Sequence, residues 1–227
     1  MLRFFLYSFV CLSLLTFNSS FSDPQDIYRP SNEWPVVIAD GWFSAKTYTI
    51  GKYQASSKTN GSNRTSIFRT FPSAKNVFHY QLTSNASEYL ITYGTVASIS
   101  IDEKTLPKYL HSKHTGNADF FYAELIDQKD TSRPHWEMII RKPHYLSLNK
   151  NNITGTLRSG NRSFMISAHN KFSFTNSYEK TCYEFKSKKK ILAAVMLDKQ
   201  PKVWVEEGLD SYESQVFAAA VSSLLQQ

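Results

Sequence analysis

The sequence predicts a mainly β fold, an antiparallel β-barrel enclosing a hydrophobic C-terminal helix. Two observations carry that expectation. From Ala45 onward, short runs of β-branched and aromatic residues alternate with Gly, Asn, Asp and Pro turns, at the spacing of roughly eight to twelve residues that marks a sandwich or barrel. At the other end, residues 210–225 read as a helix whose apolar side chains, Val216, Phe217, Val221, Leu224 and Leu225 among them, occupy several faces at once. A helix apolar all round is an enclosed helix. Ala218, Ala219 and Ala220 keep its waist thin enough for a narrow interior. The alternatives are a lipocalin-like barrel, or a β-sandwich with the helix packed on an open face.

Residues 1–22 read as a cleaved secretory signal: Arg3 gives a basic start, Phe4 to Phe17 form the apolar run, and Ser20, Phe21 and Ser22 supply the cleavage context. The run is shorter than the ~20 residues that span a bilayer. The expected location is therefore secreted or periplasmic. Residues 23–35, with Pro24, Pro30 and Pro35 among polar neighbours, are expected to form an extended leader, and residues 36–227 a single barrel domain.

The first strands are expected at Val36 to Ile38 and Ala45 to Tyr53. A polar loop from Ser56 to Arg64 centres on Asn60-Gly61, a strong hairpin signal. Strands follow at Ser66 to Thr70, Val77 to Thr83 and Tyr89 to Ile101, where Ile99 and Ile101 alternate with serines. Glu103 to Leu110 suits a short helical turn. Pairing resumes at Asp119 to Asp127, Trp136 to Arg141, Tyr145 to Asn149, Thr154 to Leu157, Ser163 to Ala168 and Phe172 to Thr175. The last strands are Thr181 to Lys186, Ile191 to Leu197 and Lys202 to Glu206. Asp210 or Ser211 caps the helix, with Glu213 in its first turn.

Without the signal the chain keeps one cysteine, Cys182, so no internal disulfide staples it; within a strand, Cys182 reads as a small buried apolar residue. Sequons begin at Asn60, Asn63, Asn85, Asn152 and Asn161, candidate glycan sites if the host is eukaryotic. The formal net charge is +7, which loss of Arg3 lowers by one. Lys186, Lys188, Lys189 and Lys190 form the densest basic cluster and are the candidate residues for an anionic membrane surface or another polyanion. No aromatic residue interleaves Lys188 to Lys190 in the manner of a nucleic-acid platform, and no nucleic-acid partner is expected.

The run Lys188 to Asp198, the strand Lys202 to Glu206 and the apolar stretch Gly208 to Leu225 follow the order strand, turn, strand, short acidic link, apolar helix. In that order the chain resembles the tubby-like superfamily, which includes tubby C-terminal domains, phospholipid scramblases and LURP-one-related proteins. The resemblance implies a twelve-stranded barrel closed around the C-terminal helix, and functions that run from phosphoinositide binding to effects on membrane lipids. This chain departs from the family in its secretory signal and in lacking a basic pocket spread over several strands.

Catalytic motifs are missing from the sequence: there is no Gly-x-Ser-x-Gly elbow, phosphate-cradling glycine loop or His-Glu-x-x-His helix. His111 and His114 are the candidate metal ligands, with His135 or His144 to complete a site, though two loop histidines without cysteine also read simply as surface residues. No cofactor is assigned. In His135-Trp136-Glu137, strand alternation points His and Glu one way and Trp the other. The main expectation is a non-enzymatic binding or structural protein. The alternatives are a lipocalin-like carrier of a small apolar ligand, suggested by Gly41-Trp42 near the first strand, and a hydrolase or metal-dependent enzyme using the loop histidines.

Overall fold

The computed structural model describes residues 26–40, 46–61, 74–97, 119–174 and 177–227. The chain enters through two 3-10 turns, Asp26–Tyr28 and Pro30–Asn32, and continues as strands β1 (Glu33–Trp34) and β2 (Val36–Ala39). Next come β3 (Thr47–Ile50), β4 (Tyr53–Ala55), β5 (Thr59–Asn60), β6 (Lys75–Thr83), β7 (Glu88–Ala97), β8 (Asp119–Asp127) and β9 (Trp136–Arg141). A 3-10 helix at Tyr145–Lys150 leads into β10 (Asn152–Ser159), β11 (Arg162–His169), β12 (Thr181–Ser187), β13 (Lys190–Leu197), β14 (Lys202–Val205) and the helix α1 (Ser211–Leu225).

All described pairs are antiparallel, and thirteen strands lie on one path from β2 to β14 and on to β1, with β5 set beside β6. The path nearly closes into a barrel. Pro35, which has no backbone N–H to give to a ladder, divides the closing segment in two. Before it, Glu33 pairs with Trp204 of β14; after it, Val36 pairs with Ile50 of β3. One short piece of chain thus supplies both ends of the sheet.

The helix α1 fills the interior. It touches β3, β7, β8, β13 and β14, strands from opposite arcs of the path, and every residue from Gln215 to Gln226 is buried. Phe217 meets Phe164 and Phe185 at ring separations of 4.9 and 5.7 Å. The enclosed hydroxyls of Ser222 and Ser223 donate to the helix's own Ala219 and Ala220 carbonyls, and Tyr80 lies 2.6 Å from the Ser222 hydroxyl. Such bonds remove the penalty of burying polar atoms. Asp210 caps the helix, accepting from the Glu213 amide at 2.7 Å. This enclosure excludes the open cup of a lipocalin-like barrel, and the single continuous sheet excludes a sandwich.

Five sequence expectations are corrected. The leader is not an extended tail over residues 26–34: it packs on the barrel, with Ile27 2 % exposed, and β1 completes the seam. The strand expected from Ala45 to Tyr53 is, over its described residues, a hairpin that turns at Gly51, where φ is +56°, and Lys52. Asn60-Gly61 is no turn. Asn60 pairs with Phe78, the Gly61 amide donates to the Val77 carbonyl at 2.8 Å, and a Cβ on Gly61 would stand 2.6 Å from Val77 Cγ1, so glycine serves close approach there. Tyr145 to Asn149 is 3-10 helix rather than strand, because His144 after Pro143 caps its start through Nδ1 and Asn151 ends it at φ +47°. Phe172 lies in a turn closed by Ser173 N to Asn170 O, its ring spent on Trp204. Residues 1–22, Ser66 to Thr70, Ile99, Ile101, Glu103 to Leu110 and the Gly41-Trp42 pair lie outside the described residues.

Candidate functional site

The basic cluster sits on the hairpin between β12 and β13, and the structure divides it in two. Lys186 Nζ lies 2.7 Å from Glu184 Oε2, and Lys190 Nζ lies 2.7 Å from Glu206 Oε1. Lys188, at φ +55°, and Lys189 form the exposed tip, and neither has an acidic partner among the described residues. The tip stands at the N-terminal end of α1: Glu206 immediately precedes the link to the helix, and Arg162 of the neighbouring β10–β11 hairpin pairs with Glu213.

Beneath Lys186 lies an arrangement that sequence reasoning missed. Along β12, Tyr183 and Phe185 face the helix, while Cys182 and Glu184 face outward yet are wholly buried. The N-terminal segment covers them. Ile27 packs with Cys182, Ala194, Met196 and Trp204, and the Tyr28 ring stands edge-on to Trp204 and Phe172 at 5.1 and 5.3 Å. Glu184 Oε1 accepts from the Tyr28 hydroxyl at 2.5 Å and His169 Nε2 at 3.0 Å. Its Oε2 accepts from Asn151 Nδ2 at 3.0 Å, the Ser167 hydroxyl at 3.1 Å and Lys186.

His169 Nδ1 accepts from the Lys171 amide at 3.3 Å, which places the ring proton on Nε2, facing the carboxylate. Burial alone raises the Glu184 pKa, but bonds from His169, Lys186, Tyr28 and Asn151 outweigh it and hold the group well below the ordinary carboxylate range. Burial likewise raises the Tyr28 hydroxyl and the Cys182 thiol. A thiol so placed is not a nucleophile. The cluster is a polar lock between leader and barrel, built of residues spread from 28 to 186.

A second outward cluster joins β8, β9 and β10. Glu124 and Glu137 are register partners; His135 Nδ1 lies 3.4 Å from Glu124 Oε1, and Glu137 accepts from Arg158 Nε and the Tyr122 hydroxyl, each at 3.1 Å. Burial raises the Glu124 pKa, against a lowering contribution from His135. Trp136 points inward, its Nε1 donating to the Tyr212 hydroxyl at 2.7 Å, so the alternation expected for His135, Trp136 and Glu137 is the one observed. Among the described residues no group of three or more His, Cys, Asp or Glu side chains is placed to hold a metal. His135 is beside Glu124 and His144 serves as a cap; His111 and His114 lie outside the described residues.

The third feature is a cavity of about 300 Å³ at the C-terminal end of α1, lined by residues of β6 to β9 and β12 together with Lys58 and Gln227. Phe78, Tyr93 and Phe121 form an aromatic row, with successive ring separations of 5.7 Å. The Gln226 carbonyl, left without a partner where the helix ends, accepts from the Tyr93 hydroxyl at 2.8 Å and Lys58 Nζ at 2.9 Å.

No family model, curated protein or solved structure matches the chain.

Proposed function

We propose that the protein is a non-enzymatic binding module of tubby-like architecture, secreted or periplasmic after loss of residues 1–22, which contacts an anionic membrane surface or another polyanion. The observation that carries this reading is the β12–β13 tip. Lys188 and Lys189 are exposed and have no acidic partner among the described residues, while ion pairs on either side hold the hairpin. Because α1 occupies the interior, binding falls to the outer surface and the two ends of the barrel. The four-lysine candidate set narrows to two, since Glu184 and Glu206 already neutralise Lys186 and Lys190.

Co-sedimentation of the mature protein with phosphatidylglycerol vesicles tests the reading, with phosphatidylcholine vesicles as the neutral control and heparin as the soluble polyanion. Each lysine near an anionic surface is worth about 1 kcal/mol. Lys188→Glu with Lys189→Glu is therefore expected to weaken vesicle binding at least about tenfold, and added salt to abolish it. Heparin binding without vesicle binding selects the polyanion. Equal retention by neutral and anionic vesicles, or no loss in the double variant, overturns the reading.

A further inference from the structure

The cavity at the far end of α1 has the chemistry of a ligand site. Its wall combines the apolar faces of Phe78, Tyr93 and Phe121 with two cations, Lys58 and Lys142, against one acidic side chain, Asp119. Neither lysine has an acidic partner among the described residues. Lys58 is held in place: its Nζ lies 4.7 Å from the Phe78 ring centre and donates to the Gln226 carbonyl, so it uses one of three N–H donors there. The side-chain Nε2 of Gln226, next in the chain to a wall residue, is buried with no acceptor among the described residues. The site thus has donors to spare and an aromatic face beside them.

We propose that this cavity binds a small amphiphilic anion, a medium-chain or aryl-alkyl carboxylate whose apolar part lies on the aromatic row and whose carboxylate meets Lys58 and Lys142. At about 30 Å³ for each water-sized group, a cavity of about 300 Å³ takes a ligand of roughly ten heavy atoms. That excludes a two-chain lipid from entering whole. The inference does not depend on the hairpin reading, because the two surfaces stand at opposite ends of a fifteen-residue helix.

Calorimetric titration of the full mature chain with octanoate and 3-phenylpropionate, against octanamide as the uncharged control, tests it. Saturable one-to-one binding of the carboxylates is expected, with at least tenfold weaker binding of the amide. Lys142→Met is expected to weaken carboxylate binding about tenfold, and Asp119→Asn to strengthen it. Thr95→Trp, which places bulk in the wall, is expected to abolish binding while leaving the circular dichroism unchanged. Because Lys58→Met also removes a bond to the helix end, Lys142→Met is the deciding variant. Lys188→Glu/Lys189→Glu should leave octanoate binding intact, which separates failure here from failure of the hairpin reading. Equal affinity for amide and carboxylate, no response to Lys142→Met, or no binding of either carboxylate overturns the proposal.

Discussion

The hydroxyl of Tyr28 donates to Oε1 of Glu184 across 2.5 Å, joining residues 156 positions apart in the chain. Through this bond the leader closes over the outer face of the sheet and covers a carboxylate with 0 % exposure. A hydrogen bond to a buried charge contributes about 1.5–3 kcal/mol. Tyr28→Phe keeps the ring contacts with Trp204 and Phe172 and removes this bond together with the hydroxyl's contacts to His169 Nε2 at 2.9 Å and Cys182 Sγ at 3.8 Å. It is expected to lower stability by about that amount in urea titrations. Alkylation of Cys182 under native conditions should quicken in step, because the leader shields the thiol. Unchanged alkylation would show that the leader stays closed without the Tyr28 hydroxyl.

Glu184 also sets an acid limit. Its folded pKa lies below the ordinary glutamate value of 4.5, so its contribution is fully present above that value and is lost as pH falls toward the folded pKa. The urea midpoint of the wild type is expected to fall from about pH 4.5 downward. Glu184→Gln, which strands the partners of a buried ion, should cost about 3–5 kcal/mol at neutral pH and show a shallower fall below pH 4.5. Parallel profiles for the two proteins would remove Glu184 as the source.

The enclosure of α1 makes its small residues as demanding as its large ones. Phe217→Ala leaves a cavity between Phe164 and Phe185 and is expected to cost about 3–5 kcal/mol. Ala219→Leu forces bulk into a full interior and is expected to cost about 1–3 kcal/mol. Deleting residues 212–225 should abolish the cooperative thermal transition, since the strands would surround an empty core. A cooperative transition in the deletion variant would contradict this.

Gly155 tests strand packing away from the helix. It lies where the β10–β11 register shifts, and a Cβ there would stand 2.6 Å from the Ile139 carbonyl oxygen and 2.8 Å from Ile140 Cγ1. The first neighbour is backbone and cannot swing aside. Gly155→Ala is expected to destabilise the protein by roughly 1–3 kcal/mol, and an unchanged melting temperature would show that β9 and β10 separate freely.

The pattern in the chain made the strands Asp119–Asp127 and Trp136–Arg141 legible to the residue, because each is a short run rich in aromatic and aliphatic residues and the Asp130 to Pro134 turn separates them. It failed at Tyr145 to Asn149, where Leu148 anchors a six-residue 3-10 helix and the apolar count alone resembled a strand. It failed at Asn60-Gly61 because a glycine needed for close approach carries the same letter as one needed for a turn. Lys190 read as a free charge, since Glu206 comes beside it only through the β13–β14 pairing, whereas the Glu184 that neutralises Lys186 stands two residues away on the same strand, at a spacing the sequence already shows.

The sequence by itself determined the periodic strands, the all-round apolar helix and, from these, a barrel that encloses its own C-terminus. These are local properties: alternation, capping and hydrophobicity are written within a few consecutive residues. Only the tertiary structure decided that Pro35 splits the closing strand, that Tyr28, Asn151, Ser167 and His169 converge on one buried carboxylate, and that Lys58 and Lys142 flank an aromatic cavity. Those relationships join distant residues through strand register and barrel closure, which no short window of the chain contains.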